Sequence, residues 1–547
     1  MRDGVTLAAD VYRPKKEGKF PVLLERTPYN RKGEYGMASA LASHGYIVVI
    51  QDTRGRYDSG GTFYPFKNEA ADGYDTIEWA AALDGSNGQV GMFGGSYVGA
   101  TQMLAAMAAP PHLEAIFPYV TASEYYDGWT YQSGVLMQWF ASSWTSGLAV
   151  DTVRRRAEEA SQPQDWVKEL PVEQYAILKP PSDLAPYYRD WLEHERSDAY
   201  WRQWKISDHY REMKVKALHG GGWHDLFLKG SIKNYTGLRA EAASTAVREG
   251  QRLLLGPWAH ASTSPEGKIG DVTFGHSAVL DMTQTALRWF NYALKGEQNE
   301  YASAPPVKIF VMGENVWRAE KEFPLSRTAY TKYYLRSTNN VNNRHRNGEL
   351  SLVLPAKERP LVYEYDPANP VPTIGGRLCC GNAIPPGPFD QRPNESRPDV
   401  LSFSTPPLEK DLEATGYIQV ELYASTSAKD TDFTALLVDV DESGYARFLT
   451  DGIVRTRYRN GTAEPEEIVP GKVYKYTIDL WATSNLFRAG HRIRLYLSSS
   501  NFPRFNRNLN TGEPMIGGER IIKAQQTIYL DDLHPSSLIL PVVPRSK

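Results

Sequence analysis

The chain has 547 residues, 41% of them hydrophobic and 23% charged, with a net charge of -3. That length calls for more than one domain, and the near-neutral charge speaks against nucleic acid or an anionic membrane as a partner. No apolar run approaches the roughly 18 residues of a spanning helix, and the N-terminus, Met1-Arg2-Asp3-Gly4-Val5-Thr6, carries no apolar leader, so a cytoplasmic location is expected.

Up to about residue 120, short apolar runs alternate with helical patterns. Val22-Leu23-Leu24, Tyr46–Asp52, Val90–Phe93 and Ala115–Val120 read as strands, while Asp75–Leu83, started by an Asp cap, and Thr101–Ala109 read as helices. Strands apolar throughout, alternating with helices, predict a parallel sheet covered on both faces. Residues 122–210 lack clear strand runs and read as a helical insertion. They hold seven of the thirteen tryptophans: Trp129, Trp139, Trp144, Trp166, Trp191, Trp201 and Trp204. These aromatics either pack a small helical subdomain or line a pocket, and Trp129, Trp139 and Trp144 are candidates for the wall.

The α/β pattern then resumes, with strands at Val215–His219, Arg252–Leu255 and Val307–Met312 and a helix at Gln284–Leu294. From about residue 319 the texture becomes all-β. Gly416–Tyr423, Asp432–Val440, Lys472–Leu480 and His491–Ser498 alternate between Gly, Pro and Asn turns, which predicts a sandwich or jelly roll. The two cysteines, Cys379 and Cys380, are adjacent, form no disulfide framework, and are expected as reduced thiols in a loop.

The chemistry centres on Gly91-Met92-Phe93-Gly94-Gly95-Ser96-Tyr97-Val98-Gly99, where a strand runs through a Gly-flanked serine into a helix. That is the setting of a nucleophile elbow, which exposes the serine on a sharp turn and aims the N–H of the next residue, Tyr97, at a developing oxyanion. Val98 stands where the usual G-x-S-x-G pattern has its second glycine. A serine needs a base and an orienting acid, which this architecture places after later strands in the order Ser, acid, His. Asp225 follows the 215–219 strand and His260 follows the 252–255 strand; His219, His224 and His276 are rivals. His219 and His224 lie five apart in a Gly-rich turn rather than on one helix face, so no metal is expected, and no P-loop or dinucleotide fingerprint calls for a cofactor.

Several segments resemble one family. Asp3–Pro14, Arg26-Thr27-Pro28-Tyr29, Asp52–Gly61, Gly94–Gly99, Gly256-Pro257-Trp258-Ala259-His260 and Ser498–Pro503 are similar, in this order, to the CocE/NonD hydrolases, the cocaine esterase / X-prolyl dipeptidyl-peptidase group. The resemblance implies an α/β-hydrolase fold with an inserted helical cap and a C-terminal all-β jelly-roll domain. The expected bounds are 1–121 and 211–318 for the hydrolase, 122–210 for the cap and 319–547 for the jelly roll. It also implies a second oxyanion donor at the Tyr29 hydroxyl, and makes Val98 an expected variant of the elbow. Beyond Asp225, the apolar Leu226, Phe227 and Leu228 resemble the cocaine-esterase type, where amino-acid ester hydrolases carry acids. An ammonium in an apolar pocket is disfavoured, which tilts the expected substrate toward a neutral small-molecule ester, with Phe227 and Leu228 among the pocket candidates. Cap acids such as Glu124 and Asp127 could reverse that tilt. An amide or peptide substrate (an acylase, an X-Pro dipeptidyl aminopeptidase, an α-amino acid ester hydrolase) and a non-catalytic binding protein remain alternatives. The oligomeric state is left open, a homodimer included.

Overall fold

The computed structural model describes residues 1–161, 180–260, 264–337, 347–381 and 383–544. Among them, nine strands form one sheet: β1 (Ala9–Tyr12), β2 (Phe20–Thr27), β3 (Ile47–Asp52), β4 (Ser86–Gly95), β5 (Leu113–Tyr119), β6 (Lys216–Gly222), β7 (Arg252–Gly256), β8 (Val307–Val311) and β9 (Val316–Glu320). Their order is β1-β3-β2-β4-β5-β6-β7-β8-β9. Every pairing between β3 and β8 is parallel, and β1 and β9 cap the edges antiparallel. The seven inner strands are those the apolar runs predicted. The edge strands went unread because β1 and β9 are short and only partly buried, so neither shows an apolar run.

Successive residues of β2 and β3 face opposite sides of the sheet. Val22, Leu24, Ile47 and Val49 pack with α2 (Glu69–Ala81) and α3 (Tyr97–Met107). Leu23, Val48 and Ile50 pack with α1 (Tyr35–Ser43) and with the helix Met282–Lys295. Helix α2 begins at Glu69, six residues before the expected Asp75 cap. Glu69 and Asp72 supply the acidic first turn that favours a helix N-terminus. Asp75 instead binds Arg2, whose Nη2 lies 2.6 Å from its carboxylate.

Between β5 and β6 the chain forms the insertion, with α4 (Gln138–Ala160) and α5 (Pro186–Glu193). Its described residues also include a small hairpin, Tyr131–Gln132 against Val135–Leu136, which the helical reading missed because each strand is two residues long. Trp129, Trp144, Trp191, Trp201 and Trp204 are all buried in the same apolar cluster as the α2–α3 side of the sheet. Trp166 lies outside the described residues.

Among the described residues, the C-terminal part forms a continuous eleven-stranded sheet. Its long strand Leu412–Thr426 pairs with Tyr474–Phe487 on one side, and with Ser537–Val543 and then Ala524–Ile528 on the other. A register shift between Tyr417 and Gln419 bends it, so the ladder folds over a core instead of lying flat. Ile493, Leu495 and Leu497 are buried, as their alternation predicts. The two sheets share one core: a single apolar cluster runs from Leu23 and Val48 to Leu480 and Leu540. Backbone bonds Met312 N–H to Ser484 O (3.0 Å) and Leu486 N–H to Met312 O (2.8 Å) stitch the units together.

Cys379 and Cys380 correct the thiol expectation: they are joined to each other as a disulfide between neighbours. Cys380 adopts a left-handed backbone (φ 71°), a conformation that a sequence pattern does not reveal. No helix among the described residues is long and apolar enough to cross a membrane.

Candidate active site

Strand β4 ends at Gly95 and α3 begins at Tyr97, so Ser96 alone makes the turn. Its φ of 61° and ψ of -126° fall in a region that non-glycine residues rarely occupy, the kind of local strain stored at functional turns. The tight turn requires glycine at Gly94, where φ is +121° and a Cβ would lie 2.3 Å from Val98 Cγ1. The Val98 side chain, which stands where the usual pattern has its second glycine, occupies the space that a Cβ at Gly94 would need. The helix then starts with amides that have no intrahelical acceptor, Tyr97 N–H among them, at its positive end.

Asp225 sits in the loop after β6 and His260 four residues beyond β7, both at the C-terminal ends of parallel strands, where open α/β sheets bind ligands. Ser96 Oγ lies 2.9 Å from His260 Nε2, and His260 Nδ1 lies 2.7 Å from Asp225 Oδ1. Asp225 is fully buried, and its Oδ2 accepts the Phe227 N–H at 3.0 Å. A carboxylate at Nδ1 selects the tautomer with its proton there, leaving Nε2 to accept from the serine. The rival histidines are elsewhere. His219 is buried against Gln251, 3.0 Å from its Oε1, and burial lowers its pKa to about 4. His224 is buried between the rings of Phe274 and Phe448, and burial together with Arg377 and Arg447 holds it well below the usual histidine range. His276 reaches the Pro265 carbonyl.

The Tyr29 hydroxyl stands beside the Ser96 hydroxyl. Trp144 of α4 donates its Nε1–H to Tyr29 Oη at 2.9 Å, which occupies an acceptor position and leaves the phenolic proton free to donate. The residue as a whole is 41% exposed, and burial around its hydroxyl pushes its pKa up. Tyr97 contributes its backbone here; its side chain is buried, with the hydroxyl 2.9 Å from Glu69 Oε1 and accepting the Phe66 N–H at 2.9 Å. Glu69 is held in turn by Arg26 at 2.7 Å, so an internal ion pair underpins the first turn of α3.

A cavity of about 430 Å³ opens over Ser96 and His260. Tyr29, Arg56 and Tyr57 line it from the loops after β2 and β3, Ser143, Trp144, Gly147 and Leu148 from α4, and Cys380 from the β domain. Apart from the His260 imidazole, Arg56 is the one ionisable cation or anion among the described residues of that lining. Of the cap acids, Glu124 pairs with Lys233 at 2.6 Å and Asp127 with Lys229 at 2.7 Å, and neither lines the cavity.

Over its full length the chain is 37% identical to the cocaine esterase of Rhodococcus sp. (strain MB1 Bresler), of which it covers 97%. The chain belongs to the CocE/NonD hydrolase family. Residues 3–262 of this family member match the model of the X-Pro dipeptidyl-peptidase (S15 family), and residues 299–539 that of the X-Pro dipeptidyl-peptidase C-terminal non-catalytic domain. It is similar to the crystal structure of an aminopeptidase from the marine sediment archaeon Thaumarchaeota archaeon, with TM-score 0.83, 25% identity, and 100% and 95% of the two chains covered. An α-amino acid ester hydrolase structure superposes with TM-score 0.80 at 26% identity, over 99% of this chain and 95% of that one. The protein is thus an α/β hydrolase with a C-terminal β-rich domain, as its motifs implied.

Within this CocE/NonD hydrolase the pocket differs from the expected one. Of the five candidate wall residues, only Trp144 lines the cavity. Trp129 is fully buried and stacks on Phe227 with ring centroids 4.2 Å apart, while the Phe227 edge meets His260 at 5.2 Å, so this pair backs the histidine rather than facing a ligand. Leu228 opens the helix Leu228–Glu241 and is buried in the sheet core. Trp139 packs against Gly381 of the β domain, whose added Cβ would lie 2.6 Å from the indole. The lining residues Arg56, Leu148 and Cys380 went unread. Leu148 was reachable as the i+4 neighbour of Trp144. Cys380 carries no local signal, since it meets the site only through packing between units, whereas the one signal for Arg56 was its place in the loop after β3, at the C-terminal end of a parallel strand.

Proposed function

We propose that this hydrolase cleaves neutral carboxylic esters through Ser96, His260 and Asp225. Ser96 Oγ bonds to the ester carbonyl carbon while His260 Nε2 takes its proton, and Asp225 holds the imidazole and stabilises the imidazolium. The carbonyl oxygen becomes an oxyanion that accepts from the Tyr29 hydroxyl and the Tyr97 N–H. Collapse breaks the ester C–O bond, the alcohol leaves with the proton from His260, and an acyl-Ser96 remains. A water deprotonated by His260 then releases the carboxylic acid and restores the serine. The continuous hydrogen-bonded line from Ser96 to Asp225 supports the mechanism.

The choice of a neutral ester rests on one observation: among the described residues, the cavity wall carries a guanidinium and no carboxylate. A substrate ammonium, as in an α-amino ester or a free peptide N-terminus, would enter beside Arg56 without a counter-charge. The test is a hydrolysis panel run with the parent protein and Ser96→Ala, holding short p-nitrophenyl esters, a benzoyl ester, a phenylglycine ester and an Xaa-Pro p-nitroanilide. Neutral esters are expected to turn over fastest, and Ser96→Ala is expected to lower kcat by about 10⁴ or more. Preference for the anilide or the phenylglycine ester would overturn the substrate class, and undiminished activity in Ser96→Ala would overturn the mechanism.

A further inference from the structure

Arg56 is a buried cation at a catalytic pocket, its side chain only 2% exposed. Its Nε–H donates to the Pro28 carbonyl at 3.0 Å, immediately before Tyr29. Its Nη1–H donates to the Leu148 carbonyl of α4 at 2.9 Å. Asp151, one turn further along the same helix, approaches Nε only to 3.6 Å, and the ring of Phe63 lies 5.0 Å from the guanidinium carbon. The neighbouring Arg54 differs: it pairs with Asp72 at 2.6 Å and with Asp3 at 2.7 Å, away from the cavity.

These contacts close a circuit. Trp144, Leu148 and Asp151 fall at i, i+4 and i+7, one face of α4. Trp144 grips the tip of Tyr29 and Leu148 receives Arg56, which grips the backbone at the base of Tyr29. The tyrosine is thereby held at both ends against one helix face. The cation also acts on the hydroxyl itself: burial raises the Tyr29 pKa, and the Arg56 charge opposes that rise. A positive charge in a partly water-excluded site favours negative charge gathering nearby.

We propose that Arg56 is the positioning residue of the oxyanion hole, fixing the Pro28–Tyr29 turn against the cap helix and favouring the oxyanion that Tyr29 stabilises. The inference rests on the oxyanion role proposed for Tyr29 and adds a residue to it.

The test is a double-mutant cycle in the full-length protein with a neutral p-nitrophenyl ester, together with inhibition by phenylboronic acid, which adds to the serine as a tetrahedral anion. Arg56→Gln is expected to lower kcat by about 10- to 100-fold, less than loss of a direct donor, with KM within about threefold. Boronate inhibition should weaken by the same factor as kcat. In a Tyr29→Phe background the further loss from Arg56→Gln should be under about threefold, because the two act as one unit. Arg56→Lys, which keeps the charge but offers one ammonium for the two carbonyls, should recover part of the kcat, and it decides the matter if the glutamine variant fails to fold. Losses that multiply in full across the cycle, or a lysine variant no better than glutamine, would overturn the role of Arg56 while leaving Tyr29 intact. A Tyr29→Phe variant with unchanged kcat would overturn the oxyanion reading and this inference together.

Discussion

Ser96 holds a backbone conformation that costs about 1–3 kcal/mol for a side-chain-bearing residue, and neighbouring bonds keep it there. Its N–H donates to Tyr119 O at 2.9 Å, and its carbonyl accepts from Ala100 N–H at 3.0 Å. Histidines show the same dependence on surroundings. His219 is buried and its pKa falls to about 4, against about 6.5 in an unfolded chain. Between those values the unfolded state binds the proton that the folded state refuses, so stability falls as pH drops through this window and is fully restored above it. The size is about 3 kcal/mol, from roughly 1.4 kcal/mol per unit. Urea midpoints should therefore drop between pH 6.5 and 4, and less steeply in His219→Gln; an identical slope in the variant would show that the ring takes up its proton inside the fold.

At the scale of elements, the strand–turn–helix unit of β4, Ser96 and α3 is the part most legible beforehand, because its constraint is local: a sharp turn needs small residues at fixed offsets. Gly94→Ala tests it. The added methyl meets Val98 Cγ1 at 2.3 Å on a backbone at φ +121°. We expect a loss of about 2–4 kcal/mol in unfolding free energy together with a marked fall in kcat; a variant with parental stability and kcat would show that the turn tolerates a side chain. Helix ends were less legible. Helix α2 starts at Glu69 because Ala70 and Ala71 continue it and Asp75 is taken by Arg2, a partner 73 residues away. The helix Met282–Lys295 was bounded more closely, since Asp281 caps Gln284 N–H at 2.9 Å and Gly296 turns left-handed (φ 71°), both local devices.

At the scale of the molecule, one apolar cluster spans both sheets, and a loop of the β domain reaches the catalytic cavity at Cys380. Such a shared core predicts that the hydrolase and β units unfold together. Calorimetry should give a single endotherm, and two well-separated transitions would show that the units are energetically independent. The sequence by itself determined the class of each region, because the two-residue period of a half-buried strand, the unbroken apolar run of a doubly covered one and the glycines of a sharp turn are written in neighbouring residues. It also marked Ser96, Asp225 and His260 by their places after strands, and the structure brings those three within hydrogen-bond reach of one another. Only the tertiary structure decided the pocket wall. Trp129 and Phe227 went behind the histidine and Arg56, Leu148 and Cys380 to the cavity, because which face of an aromatic-rich insertion meets the site depends on how three units pack, and no local period encodes a contact between residues tens to hundreds of positions apart.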